Sequence, residues 1–269
     1  MRTLTPGSLI EGAVGILHCA DPAGKIAISR AVAEAWRSGV LPVGKRTTPP
    51  DRPARPDRPR LLPPRDMPRR RKAGAEGSRV ALLHALAHIE LNAIDLAWDL
   101  IARFEPPGAG FYDDWVRVAD EEAAHHGLLA GRLAEYGATY GDLPAHDGLW
   151  EASEATAHDL LARLAVVPMV LEARGLDVTP PMIESLSRAG DRASADVLRI
   201  VYRDEIGHVE VGRRWFEHVC RQRGLTPITE WHDQVRRHYR ALLKRPFNDA
   251  ARLEAGFDAA FYEPLAEQA

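Results

Sequence analysis

The chain has 269 residues, 45 % hydrophobic and 27 % charged, with a formal net charge of −3. Those values fit one large globular domain, or one domain with appendages, and carry no overall nucleic-acid footprint. Ala, Leu, Arg and Glu dominate while runs of Val, Ile, Thr and aromatics are scarce, so the composition leans all-α.

Residues 1 to about 40 read as one or two helices. Asp21-Pro22 is a start signal, and the apolar stripe Ile26, Ala27, Ile28, Ala31, Val32, Ala35, Trp36 stops at Gly39. Leu9-Ile10 is followed at once by Glu11, which breaks any signal-peptide core. Residues 41–77 form a Pro/Arg-rich strap. Between Pro42 and Lys72 there are nine prolines and eleven Lys/Arg against three Asp, a local +8 on a chain otherwise at −11. Proline at this density excludes helix and central strand. The strap reads either as a surface connector or as a basic arm for RNA, with Arg52, Arg55, Arg58 and Arg60 the residues to test.

From Ser78 the pattern turns helical. Segment A covers about 78–104 and ends at Glu105-Pro-Pro-Gly108, and segment B covers about 111–136 and ends at Gly137. Segment C covers about 149–174 and ends at Gly175, a helix opens after Thr179-Pro-Pro, and segment D covers about 191–223. Residues 225–269 form a C-terminal helical extension packed on the bundle, with a helix near 228–244. The pairs A–B and C–D look like a duplicated helical hairpin with a long crossover from B to C, so 78–224 reads as a four-helix bundle of ferritin type.

The duplication carries chemistry. Glu122-Ala-Ala-His125 and Glu205-Ile-Gly-His208 repeat an ExxH phrase, each with a lone glutamate one helix upstream, Glu90 and Glu172. The spacings are 32 residues (122 − 90) and 33 residues (205 − 172). Positions three, four and seven away from each glutamate are mostly apolar, which puts all four on faces that should be buried. Buried carboxylates pair, protonate or bind metal. With neutral histidines their charge of about −4 matches two divalent cations, and carboxylates with one imidazole per metal suit two Fe ions, or Mn, or a mixed Fe/Mn pair. Glu121 and Asp204, one residue before each ExxH glutamate, are candidates to hold the opposite histidine by a hydrogen bond.

His126 lies beside the site face with no counterpart at Val209 and reads as a supporting or core group. His84 and His88 fall on a different face from Glu90 and read as packing or surface histidines. Pro168 should kink segment C, either opening room beside the metals or as tolerated bundle geometry. Tyr202, one turn before Glu205, is either a redox-active or hydrogen-bonding tyrosine or a core residue. Cys19 and Cys220 read as free thiols, which with the missing leader points to a reduced, cytoplasmic protein. The apolar run Leu164 to Leu171 is far shorter than the ~20 residues of a membrane span.

The stretches Ala81–Leu91, Asp120–His125, Leu171–Asp177 and Arg203–His208 resemble the DUF455 family of ferritin-like proteins. The proline-rich leads Pro53–Pro59 and Pro63–Pro68, and Arg245-Pro-Phe-Asn248, resemble it too. The resemblance covers nearly the whole chain and implies a di-iron centre at Glu90, Glu122, His125, Glu172, Glu205 and His208, with no departure among the six. More distantly the arrangement is similar to tRNA-hydroxylating di-iron monooxygenases and rubrerythrin-like proteins, likenesses of fold that do not set function. The expected activity is an O2- or peroxide-activating oxidoreductase or hydroxylase acting on a small metabolite or modified nucleoside. Two alternatives stay open: a non-catalytic metal protein for iron handling or scaffolding, and an RNA-binding accessory that uses the strap.

Overall fold

A computed structural model describes residues 6–67, 76–239 and 241–267. The end of the strap, with Pro68 to Lys72, lies outside the described residues. Among the described residues the fold is all-α with two isolated bridges and no strand. The chain divides into two compact units, Met1–Trp150 and Glu151–Ala269.

In the first unit, α1 (Leu9–Leu17) and α2 (Pro22–Arg37) pack on the hairpin of α3 (Glu76–Arg103) and α4 (Phe111–Glu135). Ser8 caps α1 by accepting from the Glu11 amide, and Asp21 caps α2 ahead of Pro22 by accepting from Gly24. Gly110 opens α4 at φ +83, followed by Asp113 and Asp114 where the helix dipole favours negative charge. By length and hydropathy α3 could cross a membrane, but 67 % of its most apolar window is buried inside the fold, the pattern of a core helix.

The strap is fastened to this unit along its described length. The Leu9 and Ile10 amides donate to the carbonyls of Pro42 and Val43, which satisfies two open donors of α1. Arg46 donates to the Ala102 carbonyl and Arg103 to that of Pro50. Arg55 reaches Asp95 at 2.6 Å and Asn92 at 2.7 Å on α3, and Lys25 from α2 pairs with the same Asp95. Asp95 is fully buried. Burial pushes its carboxyl above the usual range, and the Arg55 and Lys25 charges oppose this.

Histidines from both helices hold the loop that follows α4. His84 Nε2 accepts from the Gly141 amide at 2.9 Å, and the His84 ring stacks on Tyr140. His88 Nε2 lies 3.1 Å from the His146 carbonyl and 3.1 Å from the Asn92 side-chain nitrogen, and its Nδ1 lies 2.9 Å from the Tyr140 hydroxyl. His126 meets the edge of the same tyrosine, and neither of its ring nitrogens has a hydrogen-bond partner among the described residues. All three histidines are buried.

The second unit is built on α7 (Ala173–Arg188) and α8 (Arg192–Arg223), with α5 (Gly148–Ala155) at its edge, α6 (Leu160–Val166), α9 (Pro227–His238), α10 (Asp249–Glu254) and α11 (Ala259–Tyr262). Segment C departs from expectation in two places. Between α6 and α7 the backbone widens into a π-helix, Val167–Glu172, where Pro168 supplies no amide, and the Trp231 indole donates to the nearby Ala165 carbonyl. Gly212 on α8 lets this bulge close in: a Cβ there would sit 2.3 Å from the Pro168 Cβ. No helix end falls at Gly175, because α7 runs straight through Pro180 and Pro181. Pro180 cannot donate to the Leu176 carbonyl, and the Asn248 side chain does so instead at 3.0 Å. Cys19 and Cys220 are free thiols.

Two predictions follow from the first unit's buried charges. Asp95→Ala leaves Lys25 and Arg55 without their carboxylate and should cost about 3–5 kcal/mol in urea unfolding; a loss under about 1 kcal/mol would contradict the network. Burial holds His88 and His126 at about 4, against about 6.5 in the unfolded chain. Between those values the unfolded state binds more protons at these two positions, so they contribute stability that is lost as pH drops from about 6.5 to about 4. His126→Phe should remove one proton's share of that slope, and an unchanged slope in chelator-treated protein would overturn the assignment.

Candidate metal centre

Phase on α3 and α4 decides what the first unit's hairpin encloses. Glu90 shares its face with Leu83, Ala87, Ile94 and Ala97, all buried, and Glu122 shares its face with Trp115, Val118, Ala119 and Leu129. Antiparallel packing of the two helices then brings Glu90, Glu122 and His125 together in the interior. Glu90 is 2 % exposed, Glu122 0 % and His125 1 %. His125 Nδ1 lies 3.3 Å from Glu122 Oε2 and 3.4 Å from Glu90 Oε2. These three side chains offer ligand atoms all within 4.8 Å of one another and could hold a metal ion.

The electrostatics are those of a crowded anionic site. Burial is the largest influence on Glu90 and the nearby Glu122 charge the next, and together they hold its carboxyl well above the usual range. Burial would lower the His125 imidazole, but hydrogen bonds to Glu122 and Glu90 and their charges override it and push His125 up to about 11. In the metal-free chain, protons thus supply the positive charge that the two carboxylates need. A divalent cation coordinated by the same atoms would supply it instead, which is how carboxylate–imidazole sites couple metal binding to proton release.

The second unit repeats the pattern with looser burial. On α8, His208 is fully buried and its Nδ1 stands 3.7 Å from Glu205 Oε2, while Glu205 is 12 % exposed. Glu172 closes the π-helix that packs along α8, so the bulge at Pro168 sets the rotation at which this carboxylate leaves its helix. Glu172 is also only partly buried, so the expectation of four equally buried glutamates holds for Glu90 and Glu122 and is relaxed for Glu172 and Glu205. Side chains one residue further round each helix are half-buried, where acidic groups meet water and arginine.

Glu121 accepts from Arg117 one turn away at 3.1 Å, and Asp204 accepts from Arg203 at 3.0 Å. Tyr202 is half-buried, and its hydroxyl accepts from the Asn248 side chain at 2.9 Å. Asn248 thereby ties the tyrosine, the α7 carbonyl released by Pro180, and the start of α10, whose Ala251 amide it caps. Phase reasoning missed this residue's part. The sequence signal was present in Arg245-Pro-Phe-Asn248, where an asparagine follows a proline just before a helical run.

The comparisons agree with the resemblance seen in the motifs. Residues 18–263 match the family described as "Protein of unknown function (DUF455)". An uncharacterized protein of Haemophilus influenzae is 44 % identical over 209 residues, covering 75 % of this chain and 72 % of that relative. No solved structure matches. With its family match spanning both helical hairpins and both ExxH phrases, the chain belongs to the DUF455 family.

Proposed function

We propose that this protein is a di-iron, or iron/manganese, carboxylate oxidoreductase that activates O2 or peroxide on a bundle of ferritin type. Six residues would hold the metals: Glu90, Glu122 and His125 from the first hairpin, and Glu172, Glu205 and His208 from the second. The observation that carries the reading is the buried Glu90–Glu122–His125 group, whose protons stand where cations would be needed. A Lys or Arg at that depth would signal a structural ion pair. A histidine that shares two carboxylates offers a ligand set of three instead, and its composition suits iron or manganese better than zinc or copper.

The sequence supports extending the set to six. The ExxH phrase and its upstream glutamate recur at nearly the same spacing, and each copy lies on a helical hairpin of its own unit. One imidazole and two carboxylates per copy is the donor share of one metal in a paired carboxylate centre. Bound metals supply redox chemistry towards O2 or peroxide. The chain's own residues do the rest. Glu90 and Glu122 keep the site anionic and dry, His125 and His208 supply neutral nitrogen donors once deprotonated, and the Pro168 bulge fixes the angle of Glu172. Tyr202, held by Asn248 one turn before Glu205, is a candidate hydrogen-bonding or redox-active side chain on α8.

Metal analysis of protein purified without added metal tests the reading. About two iron or manganese ions per chain are expected, lost in Glu122→Ala and in Glu205→Ala while helical circular dichroism is retained. Metal content unchanged by both substitutions would overturn the site. Fe(II)-loaded protein is expected to consume O2. Iron retained without O2 consumption would leave a non-catalytic metal protein in place of an oxidoreductase.

A further inference from the structure

We propose that the pocket between strap residues 57–60 and the loop 141–144 binds a small phosphate monoester bearing hydroxyl or amino groups, a sugar or nucleoside phosphate in chemical class. The proposal is separate from the metal centre and does not depend on it. The pocket encloses about 390 Å³ and is lined by Asp57, Arg58, Arg60, Gly141, Asp142 and neighbouring loop residues. That volume falls at the lower end of the range of small-molecule sites, roughly 300–1,000 Å³.

The arginines choose the ligand's charge. Among the four strap arginines singled out in the sequence, Arg52 pairs with Asp147 and Arg55 with Asp95. The Arg58 and Arg60 side chains are exposed, line the pocket, and have no ion-pair or hydrogen-bond partner among the described residues. Two guanidinium forks on one short segment match the three outer oxygens of a phosphate monoester.

The carboxylates choose the rest of the ligand. Asp57 and Asp142 sit in the same pocket and balance the arginines, so a bare anion gains little net attraction there. A phosphate attached to a body with hydroxyl or amino donors can use both signs at once, donating to the carboxylates while the arginines hold its oxygens. One Asp142 oxygen already accepts from the Thr139 amide at 2.7 Å, which fixes that side chain's orientation.

The walls are built before any ligand arrives. The Ala145 amide donates to the Arg60 carbonyl at 3.1 Å, and Leu62 returns a bond to Ala145 at 2.8 Å, so strap and loop are stitched beside the pocket. Gly141 has φ +107, and a Cβ on it would lie 3.2 Å from the Arg58 Cβ, so glycine permits the close approach of loop to strap. His84 holds the Gly141 amide from below. A pre-formed wall lowers the ordering cost of binding.

Isothermal titration of the metal-free full chain with adenosine 5′-monophosphate, inorganic phosphate and a 12-nucleotide single-stranded RNA tests the proposal. The monophosphate should bind more tightly than inorganic phosphate. The double substitution Arg58→Ala/Arg60→Ala should weaken it about tenfold or more, with the thermal midpoint unchanged. Asp57→Asn should weaken the monophosphate and spare inorganic phosphate, while Arg65→Ala outside the pocket should change neither. The proposal is overturned by no monophosphate binding at millimolar concentration, by equal affinity for the monophosphate and inorganic phosphate, or by binding that the double substitution leaves intact. RNA bound more tightly than the monophosphate, with a steep salt slope, would also overturn it in favour of a polyanion track.

Discussion

Two carboxylates, Glu90 and Glu122, share the interior of one helical hairpin, and everything about the candidate centre follows from the cost of their charge. Burial removes both side chains from bulk solvent, so the charge must be cancelled by protons or by cations. His125 stands between the two glutamates and takes up a proton to do so. The same hairpin manages another buried carboxylate differently. Asp95, further along α3, is met by Lys25 and Arg55. Within one hairpin, these carboxylates separate a structural use of buried charge from an exchangeable one: the Lys25 and Arg55 side chains pair with Asp95, while the His125 imidazole faces Glu90 and Glu122.

Much of this could be read from the sequence because helical periodicity is local. The positions three, four and seven residues from Glu90 and Glu122 are mostly apolar, which is enough to bury both carboxylates on adjoining helices. The hairpin ends at Glu105-Pro-Pro-Gly108 and Gly224 are likewise local signals, and both fall at helix ends. What periodicity could not show were contacts made by residues far apart in the chain. Gly175 and Pro180-Pro181 look like breaks, yet α7 continues because Asn248, some seventy residues later, supplies a donor to the stranded Leu176 carbonyl. His84 and His88 sit off the face of Glu90, as phase indicates. Their work of holding Gly141 and the His146 carbonyl is set by a loop whose path no local rule predicts. The strap is extended as its prolines require, but its arginines divide between inward pairs and the outward Arg58 and Arg60 only once Asp95 and Asp147 are in place.

Backbone irregularity is concentrated in the second unit, next to its own glutamates. A π-helix ends on Glu172, and Gly212 gives Pro168 the space to make that bulge. A regular α-helix would turn the Glu172 side chain by about 100° for each residue of slip, so one extra residue in the turn changes where the carboxylate points. The first unit has no such bulge at Glu90, which lies within an unbroken α3. The duplicated hairpins are therefore alike in ligand spacing and different in backbone, and the looser burial of Glu172 and Glu205 goes with the irregular copy.

The most direct test of the central claim is anomalous diffraction from crystals of Fe(II)-loaded protein, measured above and below the iron edge. The account predicts a pair of iron peaks, one ligated by Glu90, Glu122 and His125 and the other by Glu172, Glu205 and His208. No iron peak at these residues, with Glu90, Glu122 and His125 still closed on one another as a protonated cluster, would contradict it.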